Sequence, residues 1–200
     1  NYDIFNRGYH HPVTTEAARR AVLAYYGCLP FIDAQIGLIL ETLERQGLAD
    51  NTIVIIFSDH GFQLGEHGLW SKYTLFEQST RVPLLVRVPG TTTKGAACDE
   101  MVELVDLVPT LCELLNMPQA SNLEGTSFVP LLTRPGRPWK KAAFTICSIA
   151  GHVGRSVRTK RFRYAEWRSK RSMAAELYDL AADPWEQNNL VSDPKHAEEV

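Results

Sequence analysis

Ile53-Val54-Ile55-Ile56-Phe57-Ser58-Asp59-His60-Gly61 is the stretch whose reading decides the fold. Five apolar residues, β-branched or aromatic, are closed by a polar tripeptide and a glycine. A run this short and this apolar reads as a strand buried on both faces, as in a parallel sheet. Its C-terminal end delivers a carboxylate and an imidazole side by side, and in open α/β sheets ligands sit just beyond the carboxyl ends of the strands. Asp59 and His60 are therefore candidate metal or catalytic groups. The competing account is an Asp that caps the next turn and a His that fills space.

Composition bounds the remainder. The chain has 200 residues, 44% hydrophobic and 22% charged, which is enough apolar material for one core of ordinary globular kind. A net charge of -2 gives no electrostatic case for nucleic acid or for an anionic membrane surface. No apolar run reads as long enough to span a bilayer. Cys28, Cys98, Cys112 and Cys147 form no Cys-x-x-Cys pair, which argues against zinc. Cys28 and Cys112 fall in apolar helical patterns and read as small packed hydrophobes. The chain opens on Asn1 rather than Met, so it reads as a piece of something longer.

Outward from the strand, residues 1–13 read as irregular, with His10-His11 as an adjacent pair that is more simply solvated than ligating. Thr14-Thr15-Glu16 opens a helix running from Ala17 to about Cys28, with an N-cap and an acidic first turn. A second helix is expected after Pro30, with Ile32, Ile36, Ile39, Leu40 and Leu43 at helical spacing and a stop at Gly47. Helix, short loop and apolar strand together form the rhythm of an α/β sheet. Gly61 to Arg81 has weak periodicity, and structureless stretches of about twenty residues are usually functional. Val82–Val88 reads as another buried strand. Leu104–Leu115 reads as an amphipathic helix with Leu104, Leu107, Val108, Leu111 and Leu115 on its inner face, and Pro109 demands a kink or a helix start nearby. The run 134–138, rich in Pro, Gly and Arg, reads as a linker between a domain at 1–133 and a subdomain at 139–200. In the subdomain, Ala142–Ser148, Val153–Thr159, Phe162–Glu166 and Leu177–Leu180 predict a small antiparallel sheet. The arginines and lysine at 155–163 read as its wet face in preference to an anion-binding patch.

The chemistry concentrates in Ser-Asp-His-Gly-Phe-Gln-Leu-Gly-Glu-His-Gly-Leu-Trp-Ser-Lys, residues 58–72. Its three glycines allow tight turns close to a ligand. Lys72 lies twelve residues beyond His60, far enough to fold back over the same site. A divalent cation, a carboxylate ligand and an ammonium form an anion-handling set. Such a set suits a sulfate or phosphate ester, whose non-bridging oxygens need charge stabilisation in the transition state.

The pattern Ser-Asp-His-Gly-x-x-Leu-Gly-Glu-His-Gly-x-Trp-x-Lys resembles the second half of the type I sulfatase active site, within the alkaline phosphatase superfamily. It is most similar to the branch of iduronate-2-sulfatase and its bacterial relatives. Phe31–Gly37, Arg81–Leu84, Val105–Leu111, Leu123–Ser127 and the C-terminal Glu176–Leu180, Asp183-Pro184, Glu186 and Asn189-Leu190 resemble further family segments in the same order. The resemblance implies an α/β fold: the C-terminal part of a sulfatase-like sheet flanked by helices, plus the small antiparallel C-terminal subdomain. It implies that Asp59 and His60 are ligands of a calcium ion, and that Lys72 is a catalytic contact of the sulfate group. It also implies a place near the substrate for His67, against the alternative of a hydrogen-bonded loop histidine. Trp70 either lines the pocket against a sugar face or anchors the loop.

Family members use a formylglycine nucleophile made from a Cys/Ser-x-Pro-x-Arg motif, and this sequence contains no such motif; Cys28-Leu29-Pro30-Phe31-Ile32 ends differently. The expectation is therefore the C-terminal portion of a sulfuric ester hydrolase acting on a sulfated carbohydrate. Its partner would be the N-terminal half of the domain, with no nucleic acid and no membrane span. The alternatives are a phosphonate or phosphate monoester hydrolase of the same superfamily, or a non-catalytic sulfatase-like module. The resemblance implies a periplasmic, secreted or lysosomal setting.

Overall fold

The computed structural model describes residues 13–199, so the His10-His11 pair lies outside the described residues. Thr14 caps helix α1 (Thr15–Arg45): its hydroxyl accepts from the Ala17 N–H at 3.2 Å, and Glu16 adds an acidic first turn. Both features answer the unpaired N–H groups of a helix start. At the other end Gly47 takes φ 65°, and the Leu48 N–H reaches back to the Leu43 carbonyl at 2.9 Å. That is the left-handed helix stop that glycine permits.

Between these ends the expectation of two helices is corrected. α1 runs unbroken through Pro30 for 31 residues. Proline's own φ is helical, so inside a helix it removes a hydrogen bond, at about 3 kcal/mol, without forcing the chain out. Dividing the run at Pro30 also hides its length. By length and composition α1 is long and apolar enough to cross a membrane, which corrects the expectation that no run is. None of its residues is buried. It touches the loop after the first strand where the Tyr25 ring lies 5.4 Å from Phe62.

β1 (Val54–Phe57) pairs with β4 (Leu84–Arg87) antiparallel, from Val54↔Arg87 to Phe57↔Leu84. Among the described residues neither strand has a second neighbour. The reading of β1 as a parallel strand buried on both faces is thus corrected: Phe57 is 49% exposed and Leu85 57%. An apolar run reports a preference for burial, not which segment supplies the cover. Between them, β2 (Gln63–Leu64) and β3 (Trp70–Ser71) form a short antiparallel hairpin, and α2 (Glu77–Thr80) is a single turn.

A 3-10 turn at Leu104–Asp106 starts α3 (Leu107–Leu114) and so puts Pro109 in its first turns, where a missing N–H is tolerated. The inner face of α3 is not the expected leucine stripe. Val108 and Leu115 are exposed, whereas Asp106, Pro109 and Thr110 are buried. The Asp106 carboxylate accepts from the Glu103 N–H at 2.9 Å, the Thr126 N–H at 2.7 Å and the Lys140 ammonium at 2.6 Å. A buried carboxylate must be satisfied in this way, so a polar network decides which side of α3 faces inward.

After α4 (Val129–Thr133) the chain forms β5 (Ala142–Ile149), β6 (His152–Thr159), β7 (Phe162–Arg168) and β8 (Met173–Asp179). These make one antiparallel sheet in sequence order, as the alternating pattern predicts. The fold is mixed α/β. Two apolar clusters join this sheet to the segment around Lys72: Leu69 and Phe76 with Tyr178, and Leu75 with Ala165 and Trp167. Four of the basic residues in β6, β7 and the turn between them are tied to carboxylates rather than simply wetted. Arg158 and Arg163 both meet Glu77, Lys160 lies 2.7 Å from Glu100, and Arg161 lies 2.7 Å from Asp179.

Two tight features hold the site-bearing segments together. The Gly61 N–H donates to the Ser79 carbonyl at 2.9 Å, and a Cβ on Gly61 would stand 2.0 Å from the Gln78 carbonyl oxygen. Nearby, Glu186 accepts the Glu77 N–H at 2.7 Å and pairs with the fully buried Arg163 at 2.6 Å. Burial works against the Glu77 charge, but Arg158 and Arg163 together outweigh it and hold the carboxyl below its ordinary value. Burial wins at Glu186, whose carboxyl is pushed up despite Arg163.

Two outcomes are expected. Gly61→Ala should destabilise the protein by at least about 2 kcal/mol in chemical denaturation, because the new methyl meets backbone rather than a movable side chain. Glu77→Gln should lose about 3 kcal/mol at neutral pH by breaking a buried pair. Because the Glu77 carboxyl is held low, its contribution is fully present above the ordinary glutamate pKa and is lost as pH falls below about 4.3. The stability gap between wild type and Glu77→Gln should therefore narrow on acidification; a gap that stays constant down to pH 3 contradicts the assignment.

Candidate active site

The turn leaving β1 is built from its own short polar side chains. The Ser58 hydroxyl donates to the His60 carbonyl at 2.7 Å, and Asp59 Oδ1 accepts the His60 N–H at 3.1 Å. His60 Nδ1 lies 2.8 Å from the Gly61 carbonyl oxygen. A carbonyl can only accept, so the proton sits on Nδ1 and the Nε2 lone pair is left to face outward. Lys72 Nζ stands 2.8 Å from that Nε2, and Asp59 Oδ2 lies 3.6 Å from it. A carboxylate oxygen, an imidazole nitrogen and an amine thus converge on one small region.

Lys72 reaches this point because its neighbours bend the chain sharply. Ser71 and Tyr73 both adopt left-handed backbone, with φ 85° and 69°. Just downstream Thr74, Leu75 and Phe76 are buried. Thr74 accepts from Gln63 at 3.1 Å and donates to Ser79 at 2.7 Å. Asp59, His60, Lys72 and Tyr73 open together onto a cavity of about 1160 Å³, with Ser79 and Arg158 among its walls.

The structure brings together Asp59, His60 and Lys72, and places the other two candidates elsewhere. His67 is not among the cavity-lining residues. Its ring stacks on Phe76 with centroids 3.8 Å apart and planes 4° from parallel, and burial pulls its pKa down in spite of neighbouring Glu66. In this structure its ring belongs to the packing beneath the loop. Trp70 is likewise absent from the cavity wall. Its ring lies over Gly65, where an added Cβ would come within 3.2 Å.

Sequence reasoning missed Tyr73 and Ser79 as cavity-lining residues, and it read Arg158 as part of a wet sheet face, whereas Arg158 also lines the cavity. Among the described residues no group of three or more His, Cys, Asp or Glu side chains is placed to hold a metal. Asp59 and His60 offer such an ion one oxygen and one nitrogen as two adjacent donors of a larger set, although the Nε2 lone pair here accepts from Lys72 Nζ at 2.8 Å.

Comparison with known proteins agrees with this architecture. A family described as "Sulfatase" matches residues 5–117, and one described as "N-sulphoglucosamine sulphohydrolase, C-terminal" matches residues 65–200. An arylsulfatase of Clostridium perfringens is 32% identical over 191 residues, covering 94% of this chain and 39% of its own length. An N-acetylglucosamine-6-O-sulfatase of Bacteroides thetaiotaomicron is 32% identical over 190 residues, covering 86% of this chain and 32% of its own. Mouse iduronate 2-sulfatase is 28% identical, covering 92% of this chain and 46% of its own. A protein solved with its substrate D-glucosamine-2-N,6-O-disulfate superposes with TM-score 0.80 at 32% identity, over 84% of this chain and 35% of that one. The phosphonate monoester hydrolase of Agrobacterium radiobacter superposes with TM-score 0.85 at 30% identity, over 94% and 40%. The chain spans less than half the length of each of these relatives. With the two family matches overlapping at residues 65–117 and together spanning residues 5–200, the chain belongs to the sulfatase family.

Proposed function

We propose that this chain carries the cation- and anion-binding part of a sulfuric ester hydrolase that removes sulfate from a sulfated carbohydrate. The observation that supports this reading most directly is the meeting of Lys72 Nζ with His60 Nε2 at 2.8 Å, with Asp59 beside them, at the cavity mouth. Asp59 and His60 would be two ligands of a divalent cation, with calcium as the family's choice. Calcium takes six to eight oxygens, so the remaining donors would come from outside these residues. When bound, the cation would neutralise charge on the sulfate oxygens. Lys72 would donate to the same anion, where charge grows as the ester bond breaks. The Gly61 carbonyl keeps the proton on His60 Nδ1 and so leaves Nε2 unprotonated; a cation there would take the place of its present contact with Lys72 Nζ.

The nucleophile would be a formylglycine on a partner segment, since no motif for it occurs in these 200 residues. That segment would correspond to the N-terminal half of the domain, and exposed apolar surface supports its docking. Leu23, Leu29, Phe31 and Ile39 of α1, with Phe57 of β1 and Leu85 of β4, are exposed. Large apolar side chains left in the open in this way are what a docking segment would cover. We take residues 1–133 as the C-terminal half of the α/β domain and 139–200 as the small antiparallel subdomain, joined by 134–138. In this reading α1 is a helix of the catalytic domain, inside the matched family region.

The likeness to a phosphonate monoester hydrolase makes phosphoryl esters the rival substrate class. The 200-residue chain alone should turn over no aryl sulfate. In the complete enzyme, Lys72→Ala should lower kcat/KM for a sulfate ester by more than about tenfold, and a chelator should abolish turnover until calcium is restored. An unchanged rate in Lys72→Ala removes the role assigned to that lysine. A higher kcat/KM for the matching phosphate ester than for the sulfate would favour the rival class.

A further inference from the structure

We propose that Tyr73 is a substrate-contacting, specificity-determining residue whose ring forms the surface against which the sugar ring bearing the sulfate ester lies. The inference rests on the sulfatase reading above and deepens it. Tyr73 holds φ 69°, a region that side-chain-bearing residues other than Asn, Asp and His seldom occupy. Strained backbone of this kind collects at functional sites, where surrounding structure enforces it. The enforcement here is visible. Thr74, Leu75 and Phe76 immediately downstream are buried, and the Thr74 hydroxyl is fastened to Gln63 and Ser79.

This strain does not serve to hide the ring. Tyr73 remains 53% exposed and lines the same cavity as Asp59, His60 and Lys72. Its centroid lies 5.5 Å from Lys72 Nζ. An ester whose sulfate meets the Lys72 ammonium therefore has its carbon skeleton within reach of an aromatic face. A pyranose offers an apolar C–H face to such a ring and hydroxyls to its phenolic edge, a match that suits tyrosine's apolar body and polar tip. A ring that served only to flank the lysine would affect every anion bound there equally. A ring that binds the sugar would affect carbohydrate esters and spare the bare anion.

The test uses the complete enzyme and two variants. Tyr73→Asn removes the ring with a residue that tolerates left-handed backbone, and Tyr73→Phe keeps the ring. The probes are a sulfated monosaccharide as substrate and inorganic sulfate as competitive inhibitor. We expect Tyr73→Asn to raise KM for the monosaccharide about tenfold while the Ki of sulfate stays within about twofold. Tyr73→Phe should hold KM within about threefold of wild type, and both variants should keep the wild-type Tm. Unchanged KM in Tyr73→Asn overturns the inference, as does a Ki for sulfate that weakens in parallel with KM. If wild type turns over the sulfated monosaccharide and Tyr73→Asn matches it, only the role of Tyr73 falls; if wild type does not, the sulfatase reading falls and this inference with it.

Discussion

The site depends on one close approach. Gly61 lies so near the backbone of Gln78 and Ser79 that no side chain could be inserted, and its N–H is bonded there. That contact presses the exit of β1 against the turn of α2. Asp59 and His60 immediately precede Gly61, and the bends at Ser71 and Tyr73 bring Lys72 to the same place. The Gly61 carbonyl then sets the tautomer of His60. One glycine thus contributes space, a backbone bond and the orientation of a donor atom.

Beneath this contact the small sheet acts as a floor. Leu69, Leu75 and Phe76 from the Lys72 segment are buried against Ala165, Trp167 and Tyr178 of β7 and β8. Arg163 of β7 then bridges Glu77 and Glu186. Breaking such a pair leaves a charge stranded in low dielectric, so the network has more to do with keeping α2 in register than with net stability. The β5–β8 sheet is therefore part of the site's support, although none of the residues proposed for its chemistry lies on it.

Exposed apolar surface is a second feature of the chain. Along α1 and across β1 and β4, large apolar side chains stand in the open. In the reading proposed above, one segment from outside these residues would both cover those apolar side chains and add donors beside Asp59 and His60. Burial of that surface would then be coupled energetically to completion of the cation site.

Much of this was legible in the residues themselves. Thr14 as a cap, Gly47 as a stop, the strand ending at Phe57, the four alternating strands and the Asp59–His60–Lys72 set all rest on local chemistry: φ preferences, alternation and spacing. Those cues act over a few residues, so a sequence carries them directly. Tertiary structure alone decided that α1 continues through Pro30, that β1 pairs antiparallel with β4 and stays half open, and that α3 turns its aspartate inward instead of its leucines. It also decided that His67 stacks on Phe76 under the loop while Tyr73 faces the cavity. Each of these depends on what lies across a contact from a distant part of the chain, and the free energy of that contact is a property of the pair, which neither partner's sequence neighbourhood contains.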